Sequence, residues 1–337
     1  MATYLQPCDW IEHDINYKYV VDVFGRTDSG DVAKVRLTDF KPYLYIKAFQ
    51  TDSPTSIENA IHKAHDESQK KKGKGAYSLG LKISRELKQD AMQGFNGMNP
   101  VPVWKIVCKS LFVFKTVARL VKSIRNAEEI YEADLPPLLR LFHEQDIAPA
   151  SPIVFDGTTV EVGDDENVDT SFEVEYFEVR PFTNISIPLL VGSYDIEVYS
   201  STGKFPVASN AKDEITQIGV SFRWNDTLLE SDSRFVFVNG TCEPSNDPTV
   251  QFVECKNEKD LLQKFAACIR TENPDIMCGY NTFGFDDSYI ADRASQCKIG
   301  IDFGRIPVQQ WSGYEFIHTE KKTFEVAAGK FAVRYIS

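Results

Sequence analysis

Residues 273–290 read NPDIMCGYNTFGFDDSYI, and this stretch decides the fold class of the second half of the chain. An apolar strand ends in Gly279-Tyr280, a short loop carries Asn281, Phe283 and Gly284, and Phe285-Asp286-Asp287 opens a helix predicted over residues 285–296. A strand, a loop and a helix in that order is how α/β proteins place a carboxylate at the mouth of a sheet. Asp286 and Asp287 fall in the first helical turn, where the helix dipole favours negative charge. Helix stabilisation alone would account for either of them.

Upstream, residues 191–200, VGSYDIEVYS, form an apolar strand carrying Asp195 and Glu197. Side chains two apart on a strand share a face, so both carboxylates project together while Ile196 packs behind them. Neighbouring carboxylates repel unless a cation lies between them, and a hard divalent ion bound through oxygens meets that demand. Taken alone, Asp-x-Glu on a strand is more often a solvated face.

The surroundings extend the pattern. Strands are predicted at residues 216–224, 234–238 and 249–255, and a helix at 257–270. Asn257 caps that helix with Asp260 at its third position, and Leu261, Leu262, Phe265, Ala266 and Ile269 make one apolar face. Several strands, a helix, a strand and a helix describe an α/β domain with a mixed sheet.

The first half reads as a small α+β domain. Strands are predicted at 19–26, 32–37, 42–48 and 101–109, and helices at 53–69 and 111–124. Ser53 caps the first helix and Pro54 suits its first turn. Residues 70–75, KKKGKG, form a basic loop, read as a solvated charge run with contact to DNA phosphates as the rival. His62 and His65 lie three apart on a helix face expected to be solvated. Residues 128–153 read as helix broken by prolines, and 160–179 hold an acidic loop, GDDENVD. A boundary near residue 185 gives two domains, 1–184 and 185–337.

The chain has 337 residues, with 42% hydrophobic and 26% charged, ordinary values for a globular protein. No run of 18 apolar residues exists and the first residues show no secretory pattern, so the expected setting is intracellular, with no membrane partner. The three N-x-[ST] matches, at Asn184, Asn225 and Asn239, are then chance. Seven cysteines without zinc spacing read as reduced thiols. A net charge of −12 excludes a general nucleic-acid coat but not an enzyme holding DNA in one groove.

Together, Asp195-Ile196-Glu197 and the run from Pro274 to Asp286 resemble the first two exonuclease motifs of family B DNA polymerases. There, D-I-E on a strand is followed by P-D-x-x-x-G-Y-N-x-x-x-F-D. The likeness continues in Lys204-Phe205-Pro206 and Asp213 to Gly219, in YEADLPPLLRLF at residues 131–142, and in KPYLYI at residues 41–46. The resemblance implies a ribonuclease H-like 3′→5′ exonuclease domain behind the N-terminal domain of such a polymerase. Asp195, Glu197 and Asp286 would be catalytic residues and ligands of two Mg²⁺ ions, with Mn²⁺ as an alternative metal. One ion would activate water and the other stabilise the leaving oxygen. Asn281 and Phe285 would bind the frayed single-stranded DNA end, while Asp287 matches no acid of the pattern. The template-uracil reading of some archaeal relatives near Pro42-Tyr43 is not carried over.

The third exonuclease motif, a tyrosine with an aspartate four residues on, is missing after Asp286, as are palm, fingers and thumb. The implied protein is therefore the N-terminal portion of a DNA-directed DNA polymerase with an incomplete exonuclease site. Its partners would be DNA, the remainder of the polymerase and, as a further candidate, a sliding clamp. The implied location is the nucleus or a cytoplasmic viral replication site, with a large DNA virus the favoured source. Two rival readings stand: a non-catalytic DNA-binding or assembly module, and a free-standing exonuclease of the same fold.

Overall fold

The computed structural model describes residues 2–75, 77–88, 99–164, 166–226, 232–243, 246–301, 304–305, 319–326 and 329–336. The chain divides into two units. The first comprises Met1–Asp28, Ala33–Val160 and Thr170–Ser186, and the second Ser29–Val32, Glu161–Asp169 and Ile187–Ser337. The acidic stretch Glu161–Asp169 thus belongs to the second unit, although it precedes residue 185.

In the first unit, β1 (Thr3–Ile15) and β2 (Lys18–Thr27) form an antiparallel hairpin, followed by β3 (Val32–Thr38) and β4 (Tyr43–Lys47). Then come α1 (Pro54–Lys71), β5 (Lys82–Lys88), β6 (Val101–Val107) and α2 (Leu111–Leu120). The unit continues with β7 (Ile130–Tyr131), α3 (Pro137–Glu144), β8 (Ile153–Phe155), β9 (Thr158–Val160), β10 (Thr170–Glu175) and β11 (Arg180–Pro181). They build a seven-stranded sheet, β11-β8-β1-β2-β3-β10-β9, and a four-stranded one, β5-β6-β4-β7.

Alternation along Tyr43-Leu44-Tyr45-Ile46 explains the smaller sheet. Leu44 and Ile46 join the core with Ile57, Ile61, Val113 and Val117 of α1 and α2. Tyr43, Tyr45 and Tyr131 form the cluster on the other side, and the Arg140 guanidinium lies 4.0 Å from the Tyr43 ring centre.

Four expectations need correction here. His65 is buried, because α1 turns Ile57, Ile61, His65 and Gln69 inward at four-residue spacing. The α-helix starting at Leu111 ends at Leu120, its last turn tightening into a 3₁₀ turn, Val121–Ser123. Residues 128–153 are not a helix broken by prolines; Pro136 and Pro137 start α3, their fixed φ suiting a first turn. Strand β1 escaped the sequence reading because most of it is half-buried, its alternation weak, with a bulge at Pro7/Asp9.

In the second unit, β12 (Leu190–Val198), β13 (Ile215–Trp224), β14 (Ser233–Asn239) and β15 (Val250–Cys255) are followed by α4 (Glu258–Glu272), β16 (Ile276–Cys278) and α5 (Asp286–Gln296). The sheet order is β15-β14-β13-β12-β16. Pairs β14·β15 and β12·β16 are parallel and the rest antiparallel, the mixed sheet expected. Its core joins Ile196, Ile218, Phe222 and Phe237 to Leu261, Phe265 and Ile269 of α4 and to Ile290 of α5. Asn257 caps α4 through its side chain, accepting from the Asp260 amide at 3.0 Å. A further hairpin, β17 (Thr319–Val326) and β18 (Gly329–Ile336), follows in sequence.

Candidate active site

Strand β12 behaves as its alternation demands: Asp195 and Glu197 are exposed and Ile196 is buried between them. Asp195 pairs across the sheet with Gly219, and a Cβ built at Gly219 would meet nothing within 4 Å. The sheet face beside Asp195 is therefore open where a side chain would otherwise stand. At Glu197 the ladder slips. Glu197 pairs with Gln217 but Val198 with Ile215, so Thr216 is an inserted residue, and its hydroxyl donates to the Glu197 carbonyl at 3.0 Å. Bulges re-aim the side chains beside them.

The loop from β16 to α5 brings in the third carboxylate. Gly279 is required by close approach, since a Cβ there would lie 2.5 Å from the Tyr194 carbonyl oxygen. Asn281 follows, exposed and left-handed at φ 57°, its carbonyl accepting from the amides of Gly284 (2.8 Å) and Phe285 (3.1 Å). This turn delivers Asp286 buried against β12, where its Oδ1 accepts from the Ile196 amide at 3.1 Å. The contact lies between Asp195 and Glu197 in the chain, and the charge of Asp195 acts on Asp286. Burial pushes the Asp286 carboxyl above its usual range; its own amide and that of Ile196 pull it down, and the charges of Asp195 and Asp287 push it up. Asp287, also buried, accepts from the Tyr194 hydroxyl, tying α5 to the residue that precedes Asp195. Burial, reinforced by Asp287, raises the Tyr194 phenol, so it stays protonated and donates.

Phe285 is half-buried, its ring centre 5.2 Å from Phe205 in an edge-on contact and 5.2 Å from Tyr289. Phe205 is itself 74% exposed. It rides on a loop held by two hubs that sequence reasoning missed. Asp213 accepts from the Ser201 hydroxyl (2.5 Å), the Val207 amide (2.9 Å) and Asn210 (2.9 Å), bonds that hold its carboxyl below the usual range. Arg293 donates to the carbonyls of Ala208 (3.0 Å) and Asn210 (2.9 Å) and pairs with Glu258 at 2.5 Å, both side chains buried. Glu258 in turn accepts from the Ile215 amide at 2.8 Å. The available signal was charge at core spacing: Arg293 falls on the same inward face of α5 as Asp286, Tyr289 and Ile290.

The donor chemistry fits a hard cation, which takes carboxylate oxygens: Asp195 and Glu197 expose theirs on β12 and Asp286 is buried against the same strand. Among the described residues, however, no three His, Cys, Asp or Glu side chains stand close enough to hold an ion as they are.

Comparison with known proteins points to one family. The family model "DNA polymerase family B, exonuclease domain" matches residues 128–330. The DNA polymerase of Acanthamoeba polyphaga mimivirus is 26% identical over 312 residues, 86% of this chain and 18% of that protein. The DNA polymerase of Paramecium bursaria Chlorella virus NY2A is 27% identical over 304 residues, 86% of this chain and 31% of that protein. The chain thus spans less than a third of the length of these relatives. Among solved structures, the family B DNA polymerase of the hyperthermophilic archaeon Pyrobaculum calidifontis superposes with a TM-score of 0.63 at 19% identity, over 91% of this chain and 35% of that one, a likeness of fold.

Proposed function

Because this chain belongs to DNA polymerase family B, through its exonuclease domain, we propose that it is the N-terminal portion of a DNA-directed DNA polymerase bearing a 3′→5′ proofreading site. The observation that carries the reading is the Asp286 carboxylate seated on the Ile196 amide, between the two exposed carboxylates of β12.

Asp195, Glu197 and Asp286 would hold two Mg²⁺ ions, or Mn²⁺ in their place. Bound divalent metal supplies an activated water and charge stabilisation for phosphodiester cleavage. The chain's own residues do the rest. Asp195 and Glu197 present oxygens on an open sheet face, and Asp286 is fixed by the amide it accepts from. The exposed ring of Phe205, edge-on to Phe285, offers a sequence-tolerant surface for stacking a frayed base. Asn281, exposed at the helix mouth, would position the same strand. The partners of this reading are a single-stranded DNA end, the remaining polymerase (palm, fingers and thumb) and a sliding clamp. The relatives' viral sources support viral DNA replication in the nucleus or at a cytoplasmic replication site as its setting.

The test is Mg²⁺-dependent digestion of 3′-labelled single-stranded DNA. Asp195→Ala/Glu197→Ala should lose about 100-fold or more, since even groups behind a metal's ligands are worth up to that much. Equal digestion by both proteins would place the chemistry elsewhere. No digestion by either, with Mn²⁺ binding also unchanged in calorimetry, would favour a non-catalytic DNA-binding module.

A further inference from the structure

We propose that the first unit carries a track for single-stranded DNA, built from the exposed rings of Tyr17, Phe112 and Tyr77 and the lysines beside them. The inference stands apart from the carboxylate site and needs no catalysis.

The tip of the β1–β2 hairpin starts the argument. Its two linking residues, Asn16 (φ 49°) and Tyr17 (φ 62°), are both left-handed. Two-residue turns of this kind call for Asn-Gly, so Asn16 suits its place and Tyr17 does not. Tyr17 is also 80% exposed, so no core packing explains a bulky ring held in that conformation. Strain kept at an exposed tip points to use.

What surrounds it is also fixed. The Asp14 carboxylate accepts from the amides of Leu111 (2.6 Å) and Phe112 (2.8 Å), locking the end of β1 to the start of α2. That places Phe112, 59% exposed, beside the hairpin. The Lys109 ammonium lies 5.9 Å from the Tyr17 ring centre. Tyr77, 36% exposed, stands 5.8 Å from Phe112 between ring centres and rests edge-on against buried His65 at 4.4 Å.

Charge follows the rings. Lys70, Lys71, Lys72 and Lys74, all exposed, run from the end of α1 toward Tyr77, and Lys115 lies three residues beyond Phe112 on α2. Of the nearby acids, Asp14 is taken up by the α2 amides, leaving Asp66 and Glu67 exposed on α1. In a chain of net charge −12, this is a local reversal of sign. Rings that accept any base face, interleaved with lysines that take phosphates, are what an unpaired strand requires; a duplex hides its base faces.

The test is fluorescence anisotropy of a labelled oligo-dT with the full chain in EDTA, where digestion cannot occur. Tyr17→Asn/Phe112→Ala should weaken binding about tenfold or more, the scale of lost base stacking. Asn is chosen at 17 because it tolerates the left-handed conformation, so the hairpin keeps its fold; an unchanged melting curve confirms it. Replacing Lys70, Lys71, Lys72 and Lys74 by Ala should flatten the salt dependence. The proposal is overturned if the ring variant keeps full affinity, if duplex binding falls equally, if oligo-rU is preferred, or if the wild type does not bind.

Discussion

Asp22 in the first unit and Asp286 in the second are both buried aspartates, and the structure treats them in opposite ways. Asp22 receives two 2.8 Å bonds from Arg36 and one of 3.0 Å with His13. Burial alone would raise its carboxyl, yet these bases hold it down to about 2. Asp286 has backbone amides as donors, and the side-chain charges acting on it are those of Asp195 and Asp287, which raise it further. A buried acid matched by bases is a finished piece of structure. A buried acid beside other acids is left under repulsion, which on the proposed reading a bound cation would relieve.

Glu258 tests this contrast most severely, because it is a buried, base-matched acid inside the second unit. Arg293→Met should destabilise that unit by about 3–5 kcal/mol, the scale for stranding one half of a buried pair. Chemical denaturation would read the loss, and little change would mean that the pair does not hold the Phe205 loop. Asp22→Asn should destabilise the first unit by about 2–3 kcal/mol, less than for a fully buried pair because Arg36 is partly exposed. Asp286→Asn, by contrast, should leave metal-free stability unchanged or improved, since it removes charge from a crowd of like charge.

Titration separates the two sites by sign. The depressed Asp22 contributes stability present above about pH 4, and about 2 kcal/mol is lost as pH falls toward about 2. The raised Asp286 works the other way: in EDTA, the second unit should lose stability as pH rises through its carboxyl, and Mg²⁺ should restore it. Hydrogen exchange read separately in the two units checks both. The smallest effect expected is at Asp287→Asn, which keeps an acceptor for Tyr194 but removes one charge. The apparent carboxyl pKa of Asp286, followed by NMR in EDTA, should move down.

Strand alternation at Asp195-Ile196-Glu197 and the strand–loop–helix order around Asn281 were legible in the sequence because both are local periodicities. The pairing of Glu258 with Arg293 was not, since each reads alone as a surface charge and their meeting joins two helices. His65 was misread for the same reason, a polar residue turned inward by the spacing of its apolar neighbours. Asp213 was visible as part of a motif, but its four-way hydrogen bonding belongs to a folded loop and leaves no period.

The extra residue at Thr216 has a consequence for the whole sheet. On β13, Ile218, Val220 and Phe222 point inward in step, yet Ile215 is inward too, three places before Ile218 rather than two or four. Only an inserted residue lets both ends of the strand face the same core. Thr216 is thus a phase shifter: deleting it would leave Ile215 two places before Ile218, so plain alternation would serve both ends and the ladder with β12 would run unbroken. What such a deletion would take away is the kink in the strand beside Glu197, not the facing of the core.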